Sequence, residues 1–171
     1  MLRRIRKFLG GLFLVLMVIG VVFLLGMRTK YPPVINAVRR VNRAVFNPRQ
    51  MGSAGTPGAY ASVIRHSGRT TGKPYETPVG AVPTDDGFVI ALLYGTQSDW
   101  LKNVLAAGSA TIVDEGHTYR VDQPEVAAIE TVAAQFPPSD QRSLRLFGVD
   151  QALRVRRVEP PEPREEIAEP A

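Results

Sequence analysis

Residues 65–79 read Arg-His-Ser-Gly-Arg-Thr-Thr-Gly-Lys-Pro-Tyr-Glu-Thr-Pro-Val. Two glycines, two threonines and two cations fall within residues 68–73. Glycine lets a backbone approach a ligand and adopt positive φ. Successive N–H groups in such a turn form a concavity for anions. Arg69 and Lys73 place positive charge at its rim, and Arg grips phosphate through two parallel hydrogen bonds. The chemistry implied is a phosphate-binding hairpin; the plain alternative is a polar turn with solvated cations. A nucleotide P-loop is excluded, because three residues rather than four separate Gly68 from Gly72 and Pro74 follows Lys73. Pro74 also disfavours helical geometry at Lys73. His66 reads as a hydrogen-bonded structural histidine.

Other chemistries are poorly supplied. The chain has no Cys, hence no disulfide, thiolate nucleophile or Cys-based zinc site, and its 2 histidines, His66 and His117, make no metal set. Asp85 and Asp86 sit in a turn signal and read as solvated. No residue is assigned a catalytic role. The chain has 171 residues and a formal net charge of +5. The first 75 residues hold 13 Lys/Arg and no Asp/Glu; the remainder hold 8 against all 16. This basic excess flanks an apolar segment, which suits anionic lipid headgroups, and no nucleic-acid-binding motif accompanies it.

The elements that must position the turn follow from pattern. A strand over 60–65 precedes it and one over 75–82 follows. Thr84-Asp85-Asp86-Gly87 signals a hairpin. Phe88–Tyr94 (FVIALLY) is apolar without alternation, a strand buried on both faces. Ser98 or Asp99 starts a helix that Gly108 closes. Strands at 110–113 and 118–121 flank another turn. A helix is expected over 125–136, a shorter one over 139–147, and a last strand over 152–158. Six short strands with helical excursions predict a mainly β, α+β small barrel over residues 59–158. Residues 159–171, rich in Pro and Glu, are expected to be disordered.

Upstream, residues 8–27 (FLGGLFLVLMVIGVVFLLGM) carry no charge. At about 1.5 Å per residue they span roughly 30 Å, the hydrocarbon thickness. Arg3, Arg4, Arg6 and Lys7 precede them. A signal peptide has a shorter core and a small-residue cleavage site, so residues 1–30 read as an uncleaved membrane anchor. The basic residues after the span favour a single-pass protein with its domain on the cytoplasmic side. Residues 31–58 read as a helix over 33–47, stopped by Pro48, and a linker. Val34, Val38, Val41 and Val45 form its apolar stripe, either at the membrane interface or capping the domain core.

Two stretches resemble a known signature. His66-Ser67-Gly68-Arg69-Thr70-Thr71-Gly72-Lys73-Pro74-Tyr75-Glu76-Thr77-Pro78-Val79 and Tyr94-Gly95-Thr96-Gln97-Ser98-Asp99-Trp100-Leu101-Lys102-Asn103-Val104-Leu105-Ala106-Ala107-Gly108 are similar, in order and spacing, to the two halves of the deazaflavin (coenzyme F420)-dependent nitroreductase signature. The resemblance covers residues 59–158. It implies a split β-barrel of the flavin-reductase, FMN-binding type. It also implies an oxidoreductase that moves hydride from reduced coenzyme F420 to an apolar acceptor, a quinone or unsaturated lipid, with nitro compounds as adventitious substrates. Arg69 and Lys73 would meet the anionic tail, and Gly68, Thr70, Thr71 and Gly72 would offer donors. Leu92, Leu93, Tyr94 and Gly95 would run along the ring system, beside Trp100 and Asn103. Trp100 reads first as a packing residue, and Asn103 either bonds the cofactor or caps a loop. The sequence departs from the family at Thr70 and Tyr75, where basic residues are expected, and its last tyrosine is Tyr119. These departures keep two alternatives open: FMN in the same barrel, or a non-catalytic lipid- or fatty-acid-binding protein.

Overall fold

The computed structural model describes residues 2–158, so the expectation for residues 159–171 falls outside it. Seven strands form one antiparallel sheet: β1 (Ser62–Ser67), β2 (Pro74–Val79), β3 (Ala81–Pro83), β4 (Gly87–Ala91), β5 (Ser109–Asp114), β6 (His117–Ala128) and β7 (Gln151–Arg157). Their order is β2-β1-β5-β6-β7-β4-β3. The two outermost strands are therefore consecutive in the chain, joined by Gly80 alone. A flat sheet with strands roughly 4.8 Å apart would hold its edges roughly 29 Å from each other. One linking residue spans at most about 7.6 Å. The sheet must roll until its edges nearly meet, leaving an open seam at Gly80. This corrects the single strand expected over 75–82: Gly80 divides it between opposite ends of the sheet order.

The rolled sheet encloses Ile64, Phe88, Ile90, Ile112, Val121, Leu153 and Val155. Helix α4 (Asp99–Ala107) inserts Leu101 and Val104 into this core and ends at Gly108, whose φ is +69°. On β4 the side chains alternate between two cores. Phe88 and Ile90 point into the barrel, while Val89 packs outside with Phe136, Leu144 and Ala152. Both faces are covered, which is why FVIALLY shows no alternation. Ladder pairing ends at Ala91, short of the Tyr94 expected from sequence.

Residues 125–136 do not form the expected helix. Glu125–Ala128 continue β6 past an irregularity at Gln123, whose φ is +48°, because Val126 and Ala127 pair with Leu153 and Ala152 of β7. Only a short α5 (Ile129–Val132) and a 3₁₀ turn (Ala133–Gln135) remain helical. Helix α6 (Pro138–Leu146) follows.

Helix α1 (Leu2–Arg28) contains Leu9–Arg28, a 20-residue stretch long and apolar enough to cross a membrane, and almost none of it touches the domain. Its last turn is an exception. Met27 is buried, Arg28 Nη1 donates to the Arg145 and Leu146 carbonyls at 2.9 and 3.3 Å, and Lys30 Nζ donates to the Leu93 carbonyl at 3.3 Å. Helix α2 (Pro32–Val41) then runs through a wide turn at Asn42–Phe46 into α3 (Asn47–Gln50). Pro48 was expected to stop this helix. The wide turn shifts the ladder, with Asn47 N–H bonding the Asn42 carbonyl, so Pro48 lies in a first turn that needs no N–H from it. The apolar stripe is divided: Val34 and Val38 are half-buried and Val41 and Val45 exposed, while Ile35 is buried and Arg39 and Asn42 also face the domain.

Candidate functional site

Between α2, the turn after β1, the β2–β3 seam and the loop after β4 lies an open cleft of about 1230 Å³. Gly68, Arg69, Thr70, Thr71, Leu92, Leu93, Tyr94, Gly95, Trp100 and Asn103 all line it. Gly72 and Lys73 are not among its lining residues. The structure thus brings residues 66–71 and 94–103 together and leaves part of the expected phosphate grip outside.

The glycine turn is tightly made. Gly72 holds φ +66°, and its N–H bonds the Gly68 carbonyl at 2.7 Å. Gly68 N–H bonds the Lys73 carbonyl at 2.8 Å, and a Cβ on Gly68 would sit 2.9 Å from the Tyr75 ring. Arg69 N–H reaches Asn103 Oδ1 at 3.2 Å, and Lys73 N–H reaches Thr71 Oγ1 at 3.4 Å. Of the donors expected to be free for an anion, the Gly68 and Gly72 amides instead hold the turn itself, while those of Thr70 and Thr71 make no such bond among the described residues.

Asn103, on the inward face of α4, is the hub. It is 6% exposed, and His66 beside it is 8% exposed. Its Oδ1 also accepts from Arg69 Nη1 at 2.9 Å, so its Nδ2 must donate to His66 Nδ1, 3.2 Å away. An accepting Nδ1 leaves the imidazole proton on Nε2, which donates to Thr77 Oγ1 at 3.3 Å. Burial holds the His66 pKa below the ordinary histidine value, and the ring lies 5.8 Å from Tyr75, nearly parallel. His66 is therefore a neutral structural histidine.

Asp99, at the first turn of α4, bridges the two sides of the cleft. Arg69 Nη2 and Arg43 Nη2 each lie 3.3 Å from its carboxylate. Partial burial pushes the Asp99 pKa up, but hydrogen bonds from Arg69 and Arg43 outweigh it and hold the carboxyl below its usual value. Opposite, Arg39 Nη2 donates to the Tyr94 carbonyl at 2.6 Å, and Asn42 Nδ2 donates to the Tyr94 hydroxyl. Leu92 belongs as much to the barrel core as to the cleft, and Trp100 packs on that core with one edge in the cleft.

The residues missed from sequence are those of the second helix: Asn36, Arg39, Arg40, Asn42 and Arg43. The signal available was the run of cations with no acidic residue near it in sequence. The apolar stripe, which suits either the membrane interface or the core, does not indicate that Arg39 and Asn42 face the domain.

No family model matches this chain, and no curated protein does. Among solved structures it is similar to an F420-H2-dependent reductase (FDR-A), at 13% identity and a TM-score of 0.42 over 56% of this chain and 93% of that one. A second structure, described as a domain-swapped dimer, is similar at 12% identity and a TM-score of 0.44 over 70% of this chain and 97% of that one. These likenesses are low, and the functional reading rests on the cleft's own residues.

Proposed function

We propose that this protein is a membrane-anchored oxidoreductase that holds reduced coenzyme F420 in the cleft and delivers hydride to an apolar acceptor, a quinone or unsaturated lipid. Nitro compounds are adventitious substrates in this reading. The observation that carries it is the convergence of the two signature stretches, 66–79 and 94–108, on one cleft through the Asn103 contacts to His66 and Arg69. The residues fit such a cofactor. The cleft exceeds the roughly 300–1,000 Å³ of ordinary small-molecule sites, as a ring system with a long tail requires. Ala91, Leu93, Phe136 and Leu144 give it an apolar side, and Arg39 and Arg40 a cationic one.

Once bound, the deazaflavin supplies the hydride; the chain supplies position and electrostatics. Neither Asp99, held ionised between two arginines, nor His66, held neutral by burial, is poised to exchange protons with a substrate. Three residues separate the apolar helix from the cleft's second helix, which supports an acceptor drawn from the bilayer, and the basic residues after the span favour a domain on the cytoplasmic side. The test is titration of full-length protein in detergent with oxidised deazaflavin, followed by fluorescence, and then oxidation of the reduced cofactor by a short-chain quinone. Binding at tens of micromolar or tighter, with quinone-dependent oxidation, is expected. No binding would defeat the reading. Binding of FMN instead would keep the barrel and change the cofactor, and bound lipid without either chromophore would favour the non-catalytic alternative.

A further inference from the structure

Cations around the cleft differ in whether the fold has already neutralised them. Arg69 is held by Asp99 and Asn103, and Arg43 by Asp99. Lys73 lies off the cleft, and the N–H groups of Gly68, Arg69, Gly72 and Lys73 all have acceptors within the protein. Arg39 is the opposite case. Its guanidinium makes one hydrogen bond, to the neutral Tyr94 carbonyl. Its Nε is sealed from solvent with no acceptor and is, among the described residues, the one buried side-chain nitrogen or oxygen left so. No carboxylate lies within ion-pair distance of Arg39 or of Arg40 among the described residues.

Arg39 is half-buried, and a partly desolvated charge with no counter-charge in contact, together with a sealed donor left unsatisfied, calls for a ligand or other explanation. Arg39 also forms the partition between the cleft and a second cavity of about 350 Å³, lined by Lys30, Asn36, Thr96, Gln97, Asp150 and Gln151. Burial lowers the Arg39 pKa, with Asp99 and then Tyr94 opposing, as expected for a guanidinium whose counter-charge is not in contact.

We propose that Arg39, with Arg40 beside it, is the phosphate receptor of this cleft, and that the glycine turn is a scaffold rather than the anion site. The ligand class is a molecule with a phosphate at one end and an apolar or planar body that lies along Leu93 and Trp100. Only the identity of that molecule rests on the deazaflavin reading; the receptor itself stands on the pairing of charges. A soluble phosphorylated cofactor and an anionic lipid headgroup present the same group to Arg39, and we assign the soluble one.

The experiment uses full-length protein in neutral detergent. Thermal melting and the emission of Trp100, the chain's 1 tryptophan and itself in the cleft, are followed against inorganic pyrophosphate, with chloride matched for ionic strength. The variants are Arg39→Met, Arg39→Lys and Arg69→Met. Pyrophosphate is expected to raise the wild-type melting temperature. Arg39→Met should lose that shift, Arg39→Lys should keep a reduced one, and Arg69→Met should keep it nearly whole. Without anion, Arg39→Met should melt at or above wild type, since it removes an uncompensated charge; should it fail to fold, Arg39→Lys carries the comparison. An unchanged shift in Arg39→Met or Arg39→Lys, or no wild-type shift at millimolar pyrophosphate, overturns the proposal. A shift seen only in phosphatidylglycerol micelles overturns the soluble-ligand assignment. If deazaflavin does not bind but the pyrophosphate result stands, the cofactor reading falls and the receptor survives. If deazaflavin binds equally well to Arg39→Met, the receptor falls and the cofactor reading survives.

Discussion

On the wall built from the glycine turn and α4, each cation in the cleft is answered inside the protein: Arg69 by Asp99 and Asn103, with neutral His66 buried behind them. On the facing wall, carried by α2 and the wide turn after it, Arg43 shares Asp99, but Arg39 meets only a carbonyl and Arg40 has no carboxylate within ion-pair distance among the described residues. The first wall rests on a packed barrel; the second leaves Val41, Val45 and Phe46 exposed. Internally matched charges rigidify a site, whereas unmatched ones raise the free energy of the empty site and lower that of the occupied one. The contrast assigns positioning to the first wall and ligand capture to the second.

The largest effect should come from removing the hub of the first wall. Asn103→Ala strands His66 Nδ1, the Arg69 amide and part of its guanidinium. An unsatisfied buried group costs about 1–3 kcal/mol, and His66 Nδ1 is the buried one while Arg69 is exposed, so a loss of about 2 kcal/mol in chemical denaturation is expected. A loss below about 0.5 kcal/mol would place the turn's stability elsewhere.

Acidification probes the same hub. The folded pKa of His66 lies below its ordinary value of 6.5 because burial disfavours the imidazolium. The unfolded chain therefore binds the proton more readily. The stabilisation is fully present above pH 6.5, declines as pH falls below it, and is gone below the folded value. Protonated Nδ1 would also face the Asn103 amide donor. Denaturation midpoints for wild type and His66→Gln should converge as pH falls through this range. Parallel curves would show that His66 carries no linked proton.

Asp99→Asn tests the bridge between the walls. Its pairs with Arg43 and Arg69 are largely solvated, at 78%, 61% and 39% side-chain exposure, so the expected cost is only about 0.5–1 kcal/mol. Smaller still should be Val41→Ser on the second wall, within about 0.5 kcal/mol for the domain. The consequence for this region belongs to the membrane. Deleting residues 1–30 should release most protein from membrane fractions, with residual binding through α2 that high salt weakens. Full-length protein found wholly in the soluble fraction would contradict the anchor.

What could be read from sequence was local. Gly87 and Gly116 mark hairpins, Gly108 closes α4 in the left-handed region, and the unbroken FVIALLY run marks a strand covered on both faces. What escaped depends on partners far along the chain. Glu125–Ala128 is a strand because β7 is there to pair with it. Gly80 divides one apparent strand because the sheet has to roll. Asn103 becomes a hub only when His66, 37 positions earlier, is folded against it. The Arg39 face turns inward because Tyr94 offers it a carbonyl and a hydroxyl beside it accepts from Asn42, a preference no amphipathic pattern encodes.

The division of labour is tested most directly by the affinity of oxidised deazaflavin for wild type, Arg39→Met and Arg69→Met at low and high salt. Wild type should bind at tens of micromolar or tighter. Loss of a charge-assisted contact at Arg39 should weaken binding about tenfold or more, less so at high salt, while Arg69→Met should cost about threefold or less. The reverse ranking, or no wild-type binding, would contradict it.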